Sequence, residues 1–410
     1  MAMKRRTFLA VAGAATGTVM LGEGVSATRS ASTPRRRRDV RVVVAGAGAF
    51  GGWTALHLAE RGFDVTLVDA YGPGSARATS GDETRGLRYA YGQREVYTRL
   101  ARDAQRRWLE RQADWGVELA LRTGRLTLAP EPTASMQAAQ AIFDRHNIPY
   151  ELLEADEIRR RWPQFGPEGL VMGMYEPDAM ALRANLACRV VARAVERAGG
   201  RVITGYVQAP RGKGSIGSVS LGNGERLDAD VFIYACGCWL PRIFPELLGD
   251  RIRVPRRDVL LFGTPAGDPS FSYPHLPNWS ESSQRVYGFP DVYGTGLKIA
   301  PSGGDDAFDP DTDERRPSES SIARARAYID LRFPGMRGQP LVHYRVCQLE
   351  NTADEHFIID RHPEMENVWI AGGGSGHAFK HGPALGDYIA RRIDGEDPDR
   401  EMTQLWRLER

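Results

Sequence analysis

The chain of 410 residues is 42% hydrophobic and carries 54 lysines and arginines against 52 aspartates and glutamates. Its length can bury the cores of two domains of roughly 150 to 200 residues each. A formal charge of +2 removes the electrostatic case for nucleic acid or an acidic membrane as the main partner.

The first stretch reads as an address rather than as fold. "KRRTFLAVAGAATGTVML" joins the twin arginines Arg5 and Arg6 to a short Ala/Gly-rich apolar run, and "VSA", ending at Ala27, has the residue spacing of a signal peptidase site. The reading is a Tat-type signal peptide over residues 1–27, with the Tat export machinery as a partner and a periplasmic or extracellular destination. A retained anchor is the alternative, although the run is too short and too weakly apolar for a good membrane span. Residues 28–38 read as a polar, basic linker.

The fold opens on a dinucleotide fingerprint. In "DVRVVVAGAGAFGGWTALHLAERGFDVTLVDAYGPGSA" a β-branched run ends in Gly46, Gly48 and Gly51, an amphipathic helix runs to about Arg61, and a second strand ends at Asp69. The glycines allow a tight turn and a close approach to a pyrophosphate held at the helix N-terminus. Asp69 is placed to accept hydrogen bonds from the adenosine ribose.

The fingerprint alone does not separate NAD from FAD. Residues 72–92, "GPGSARATSGDETRGLRYAYG", are too long, polar and basic for the tight connection of a simple dehydrogenase. Downstream come a hairpin turned at Gly222, Asn223 and Gly224 and a buried strand ending in Gly237. Residues 250–350 are rich in Pro, Tyr and short β-like runs, the composition of an antiparallel sheet. Near the end, "NVWIAGGGSGHAFKHGPALGDYIARRI" gives a strand, a cluster at Gly372, Gly373, Gly374 and Gly376, and a helix from about Pro383. Such a unit brings backbone N–H groups and a helix dipole to a second part of the ligand, where they stabilise negative charge on a reduced flavin.

The expected fold is therefore α/β + β. A discontinuous Rossmann-like FAD-binding domain takes residues 39–122, 180–247 and 354–400. A second, mainly antiparallel-sheet substrate domain takes 123–179 and 248–353.

Cysteines and lysines are scarce enough to read one by one. Cys188 sits in a helical pattern and reads as core, while Cys236 and Cys238 are awkwardly spaced for a disulfide. No His/Cys cluster has zinc spacing, so no metal is expected. The four lysines are Lys4, Lys213, Lys298 and Lys380. An ammonium is compact and can lose its proton when buried, so in an arginine-rich chain Lys298 and Lys380 invite a functional reading.

Four ordered stretches carry a family resemblance: "VVVAGAGAFGGWTALHLAERG", "GDETRGLRYAYG", "YGFP" followed by "GLKI", and "DEHFIIDRHPEMENVWIAGGGSGHAFKHGPALG". From about Asp39 to Arg392 the chain resembles the monomeric sarcosine oxidase-like, FAD-dependent amine oxidases of the D-amino-acid-oxidase-like superfamily. The resemblance implies FAD as cofactor. It also implies that Arg88 and Lys380 hold a substrate carboxylate, that Thr84 and Arg85 lie beside the flavin, and that Lys298 activates dioxygen. Tyr287 would be a substrate-side tyrosine and Cys347 the covalent attachment point of the flavin. Gly373, Gly376 and His377 fall in the flavin-binding motif.

Two departures stand out. Where the family often has a histidine four residues after the oxygen-site lysine, this chain has Ser302, and where it has an aromatic before "SGH" there is Gly374. Both changes point to a different or larger substrate than sarcosine. The expected reaction is oxidation of an amino acid or secondary amine by hydride transfer to the flavin, imine hydrolysis, and reoxidation by dioxygen to hydrogen peroxide. Dehydrogenation of a bulky or cyclic amine in a biosynthetic pathway, passage of the electrons to an acceptor other than oxygen, and a flavin-binding carrier or sensor without turnover are the alternatives.

Overall fold

A computed structural model describes residues 39–302 and 307–409. Residues 1–38, read above as signal peptide and basic linker, lie outside the described residues. Two large sheets organise the rest, and their different patterning is visible in the residues that form them.

The first sheet has six strands in the order Ile358–Arg361, Val368–Gly372, Val231–Tyr234, Arg41–Ala45, Asp64–Asp69 and Arg201–Thr204. All neighbours run parallel except the edge pair Ile358–Arg361 and Val368–Gly372. A parallel sheet is covered on both faces, which explains why Val42 to Ala45 form an unbroken apolar run. Val42 and Val44 point into one core cluster and Val43 and Ala45 into another on the opposite face. The helix Gly51–Glu60 packs on the first face between the helices Ala184–Arg197 and Gly382–Ile393. Cys188, as expected, is buried in that helix core.

The second sheet has eight strands in the order Leu341–Gln348, Arg256–Phe262, Leu297–Pro301, Val286–Phe289, Asn278–Glu281, Arg125–Ala129, Met172–Glu176 and Glu151–Glu154. Only the pair Asn278–Glu281 and Arg125–Ala129 is parallel. Helix Glu319–Arg332 closes one face around Phe262, Trp279 and Phe333. There the buried Arg332 guanidinium meets Glu281 at 2.6 Å, and the Tyr328 hydroxyl donates to the same carboxylate. The architecture is the α/β plus antiparallel-β class expected.

A third, small sheet was not anticipated. Thr84–Leu87 pairs with Met180–Arg183, which also pairs with Ala120–Leu121. It turns the polar 72–92 stretch into a strand that carries Thr84 and Arg85. The strand expected to end in Gly237 stops at Tyr234 instead. Gly237–Trp239 is a short 3-10 turn entered with Gly237 at φ +55°, a left-handed conformation that glycine adopts without strain. Cys236 therefore precedes the turn and Cys238 lies within it, and all four cysteines are free.

Candidate active site

The fingerprint turn is as tight as its glycines demand. Gly46 has φ +102°, and a Cβ there would lie 2.3 Å from the Ala235 carbonyl oxygen. A Cβ on Gly51 would lie 1.9 Å from the Gly46 carbonyl oxygen, far inside any real contact. Asp69 fixes the turn by accepting from the Ala47 N–H at 2.8 Å and from the Tyr71 N–H at 3.0 Å. Phe50 at the N-cap position offers no side-chain acceptor to the helix that follows. The turn opens into a cavity of about 1370 Å³ that runs past Gly48, Thr84 and Arg85 to Arg88, Lys380 and Ser302.

Lys298 comes from the strand Leu297–Pro301 and stands just behind the cavity wall, 1% exposed. Its ammonium donates to Asp82 Oδ2 at 2.5 Å, to the Thr84 carbonyl at 2.9 Å and to Thr84 Oγ1 at 3.3 Å. Asp82 also receives the Arg85 guanidinium. Burial alone would raise the Asp82 carboxyl, but the Lys298 ammonium and the Arg85 guanidinium outweigh it and hold it well below the usual carboxylate range. Burial pushes Lys298 down, and Asp82 opposes the shift. The three groups sum to one excess positive charge, which faces the cavity through Arg85.

Cys347 and Tyr287 complete this end. Cys347 is buried on the strand Leu341–Gln348, with its Sγ 3.4 Å from Arg85 Nη2. Tyr287 lines the cavity, its phenol pushed up to about 12 by burial despite the nearby Arg85.

The other cationic end is built around Tyr91. Lys380 donates to the Tyr91 hydroxyl at 2.7 Å and to the His377 carbonyl at 2.8 Å. The Arg88 guanidinium lies over the Tyr91 ring, 4.4 Å from its centre. Burial, then Arg88 and Arg125, depress Lys380 well below its ordinary range. The same hydroxyl reaches His381 Nε2 at 2.8 Å and His377 Nδ1 at 3.3 Å. Burial and Lys380 push both imidazoles far down, so they are neutral. His377 thus orders the lysine rather than carrying charge.

Gly374 does not open the pocket in the way the missing aromatic implied. A Cβ there would meet Glu350 Oε1 at 2.8 Å, Ala378 Cβ at 3.0 Å and the Phe50 ring at 3.3 Å. The space is taken by Glu350, which burial raises to about 7 against the pull of the Gly374 and Gly373 N–H groups. Glu350 Oε2 has no hydrogen-bond partner among the described residues. Gly237 and Gly376 line the cavity, whereas Gly373 packs against Thr352 behind it. Ser302 stands at the rim, its hydroxyl donated to the Arg285 carbonyl at 2.8 Å.

The geometry thus gathers Thr84, Arg85, Arg88, Tyr287, Cys347, Gly374, His377 and Lys380 on one cavity. Sequence reasoning missed Asp82, Tyr91, Arg125 and Glu350. The first two lie inside the quoted "GDETRGLRYAYG" stretch, where a buried acid facing the oxygen-site lysine could have been sought. Nothing in the neighbourhood of Arg125 or Glu350 marks them in sequence.

Residues 41–392 match the family described as FAD dependent oxidoreductase. The chain belongs to that family. Monomeric sarcosine oxidase of Bacillus sp. (strain B-0618) is 31% identical over 359 residues, 85% of this chain and 91% of its own length. N-methyl-L-tryptophan oxidase of Salmonella arizonae is 28% identical over 370 residues, covering 88% of this chain and 96% of that one. Among solved structures, fructosyl peptide oxidase from E. terrenum superposes with a TM-score of 0.79 at 20% identity, over 92% of this chain and 93% of that one. L-proline dehydrogenase from P. horikoshii gives 0.75 at 18% identity, over 87% and 94%. These two share the fold.

As a member of the FAD-dependent oxidoreductases the protein takes FAD, and its cavity fits that group. The volume exceeds what a small substrate needs, since sites for drug-sized ligands are typically about 300 to 1,000 Å³. The crossing of backbone at Gly46 and Gly51 leaves no room for side chains where a pyrophosphate must approach. No helix among the described residues is long and apolar enough to cross a membrane.

Proposed function

We propose that the protein oxidises an amine that carries a carboxylate, an amino acid or its N-alkyl derivative, with dioxygen as acceptor. One observation supports this above the others: Arg88 and Lys380, which no carboxylate pairs among the described residues, share a cavity with Arg85, the exposed member of the buried Lys298–Asp82–Arg85 cluster. The curated relatives are named as oxidases of sarcosine and N-methyl-L-tryptophan, both N-methylated amino acids.

FAD, when bound, would supply the redox chemistry: two electrons and a proton leave the substrate carbon, a second proton leaves the amine nitrogen as the imine forms, and together they account for reduction of dioxygen to hydrogen peroxide. Everything else falls to the chain. Arg88 and Lys380 grip the carboxylate and fix the amine carbon, which is the entropic part of the catalysis. Their positive field lowers the pKa of the bound amine, so it loses its proton and can release electrons. The imine then leaves and hydrolyses in water. The excess charge of the Lys298–Asp82–Arg85 cluster stabilises negative charge developing on dioxygen in a water-poor site. Cys347, beside Arg85, is our candidate for covalent attachment of the flavin. The twin-arginine leader supports export of the folded, FAD-loaded protein.

Lys380→Met tests the carboxylate grip. The KM for carboxylated amines should rise at least about tenfold, the worth of a lost charge-assisted hydrogen bond, while carboxylate-free amines keep theirs. An unchanged KM removes Lys380 from the role.

A further inference from the structure

Arg125 is the cavity residue that the carboxylate grip leaves unused. It opens the strand Arg125–Ala129 of the eight-stranded sheet. One arm of its guanidinium, Nη2, donates to Ser280 Oγ at 2.7 Å. The other, Nη1, lies 3.8 Å from where a Gly86 side chain would begin. Its Nε is buried without an acceptor among the described residues. Two other arginines on the cavity have a carboxylate partner, Arg85 in Asp82 and Arg94 in Glu355 at 2.7 Å. No ion pair is formed by Arg125 among the described residues, and the half-buried side chain lines the cavity.

The local charge balance shows why this matters. Arg88, Arg125 and Lys380 line the same cavity, close enough for their charges to act on one another, and the carboxylate acting on them is Glu176, which already accepts from the Tyr89 N–H at 2.7 Å and the Ala90 N–H at 3.1 Å. With all three cations charged, the cluster carries two uncompensated positive charges. One substrate carboxylate leaves one of them over, and uncompensated charge in a desolvated site is costly. Lys380 alone can shed its proton to relieve the strain, since a guanidinium cannot. A second acid on the substrate balances the cluster with every group ionised, and an arginine fork is shaped to take a carboxylate in two parallel hydrogen bonds.

We propose that Arg125 binds a second anionic group of the substrate, so that the preferred substrate is a dicarboxylic amino acid or its N-alkyl form. This rests on the amine-oxidising reading given above and names its substrate class.

The test uses the FAD-loaded enzyme and unreactive probes. Acetate, propionate, malonate and succinate are titrated while the visible absorbance of the oxidised flavin is followed. A dicarboxylate should bind about tenfold or more tighter than the monocarboxylates, and Arg125→Met should erase that difference while moving monocarboxylate affinity little. Arg125→Lys keeps the charge but loses the fork and should fall between. Equal affinity for one and two carboxylates in the wild type overturns the assignment, and needs no variant to fold. So does an Arg125→Met enzyme of normal flavin content that weakens both classes equally, because Arg125 then belongs to the first carboxylate site. Turnover separates the two readings. If no amine reduces the flavin, the proposed function fails, whereas reduction by monocarboxylic amines with no preference for diacids sinks only the Arg125 assignment.

Discussion

Asp82 carries two cations on one carboxylate, and that makes the Lys298 end of the site a coupled unit. Removing one member leaves uncompensated charge in a buried setting, a loss of about 3 to 5 kcal/mol. Asp82→Asn should therefore destabilise the holoenzyme strongly and slow reoxidation of the reduced flavin by air. Adding Lys298→Met should recover part of the stability, read by denaturant unfolding, without recovering the oxygen reaction. Strict additivity would show that the two groups do not act together. Glu350 gives a second residue-scale prediction. Its carboxyl is raised to about 7 from an ordinary 4.5. As pH rises between those values the unfolded chain loses the proton and the folded one keeps it, so stability falls, by about 3 kcal/mol in all. Glu350→Gln at equal flavin content should flatten the pH profile of thermal unfolding over that window; an identical slope would remove Glu350 as its source. Glu350 could not be read as a site residue from sequence, and Asp82 only by seeking a buried acid for Lys298 within the quoted stretch. A buried carboxylate is identified by what folds against it, and Lys298 and Gly374 lie far away in the chain.

Elements were more legible than contacts. The strand, glycine turn and helix from Arg41 to Glu60 could be read because each step has a local cause: a β-branched run that points to two faces, glycine where backbone crosses backbone, and a following run of helix formers, although the helix expected to be amphipathic is buried all round from Gly51 to Ala59. That turn leaves no tolerance. Gly51→Ala would drive a methyl into the Gly46 carbonyl oxygen, and the purified variant should be folded by circular dichroism yet contain little flavin. A normal flavin content would contradict the account of the turn. The strand Thr84–Leu87 was illegible for the opposite reason. Its sequence, "TRGL", has no strand pattern of its own and becomes a strand only by pairing with Met180–Arg183, nearly a hundred residues on. The position of Gly237 was misjudged by the same limit, because the apolar run continues past the last paired residue, Tyr234.

At the scale of the whole molecule, the site exists because three sheets meet over one cavity. The parallel sheet delivers the fingerprint turn and, through the segment after Val368–Gly372, Lys380. The antiparallel sheet delivers Lys298, Tyr287, Cys347 and Arg125, and the small sheet delivers Thr84 and Arg85. The family resemblance made most of these residues legible one at a time. Their division into two cationic ends, one built on Asp82 and one awaiting an anion, required the fold. That division is the basis of the central claim, that an anionic amine is held and oxidised here. The most direct test is anaerobic addition of amines to the FAD-loaded enzyme, carboxylated and carboxylate-free in matched pairs, followed by air. The account predicts that the carboxylated member of a pair bleaches the flavin absorbance at far lower concentration, and that air restores the colour with one hydrogen peroxide per flavin. Bleaching by neither member, or by both at equal concentration, would contradict it.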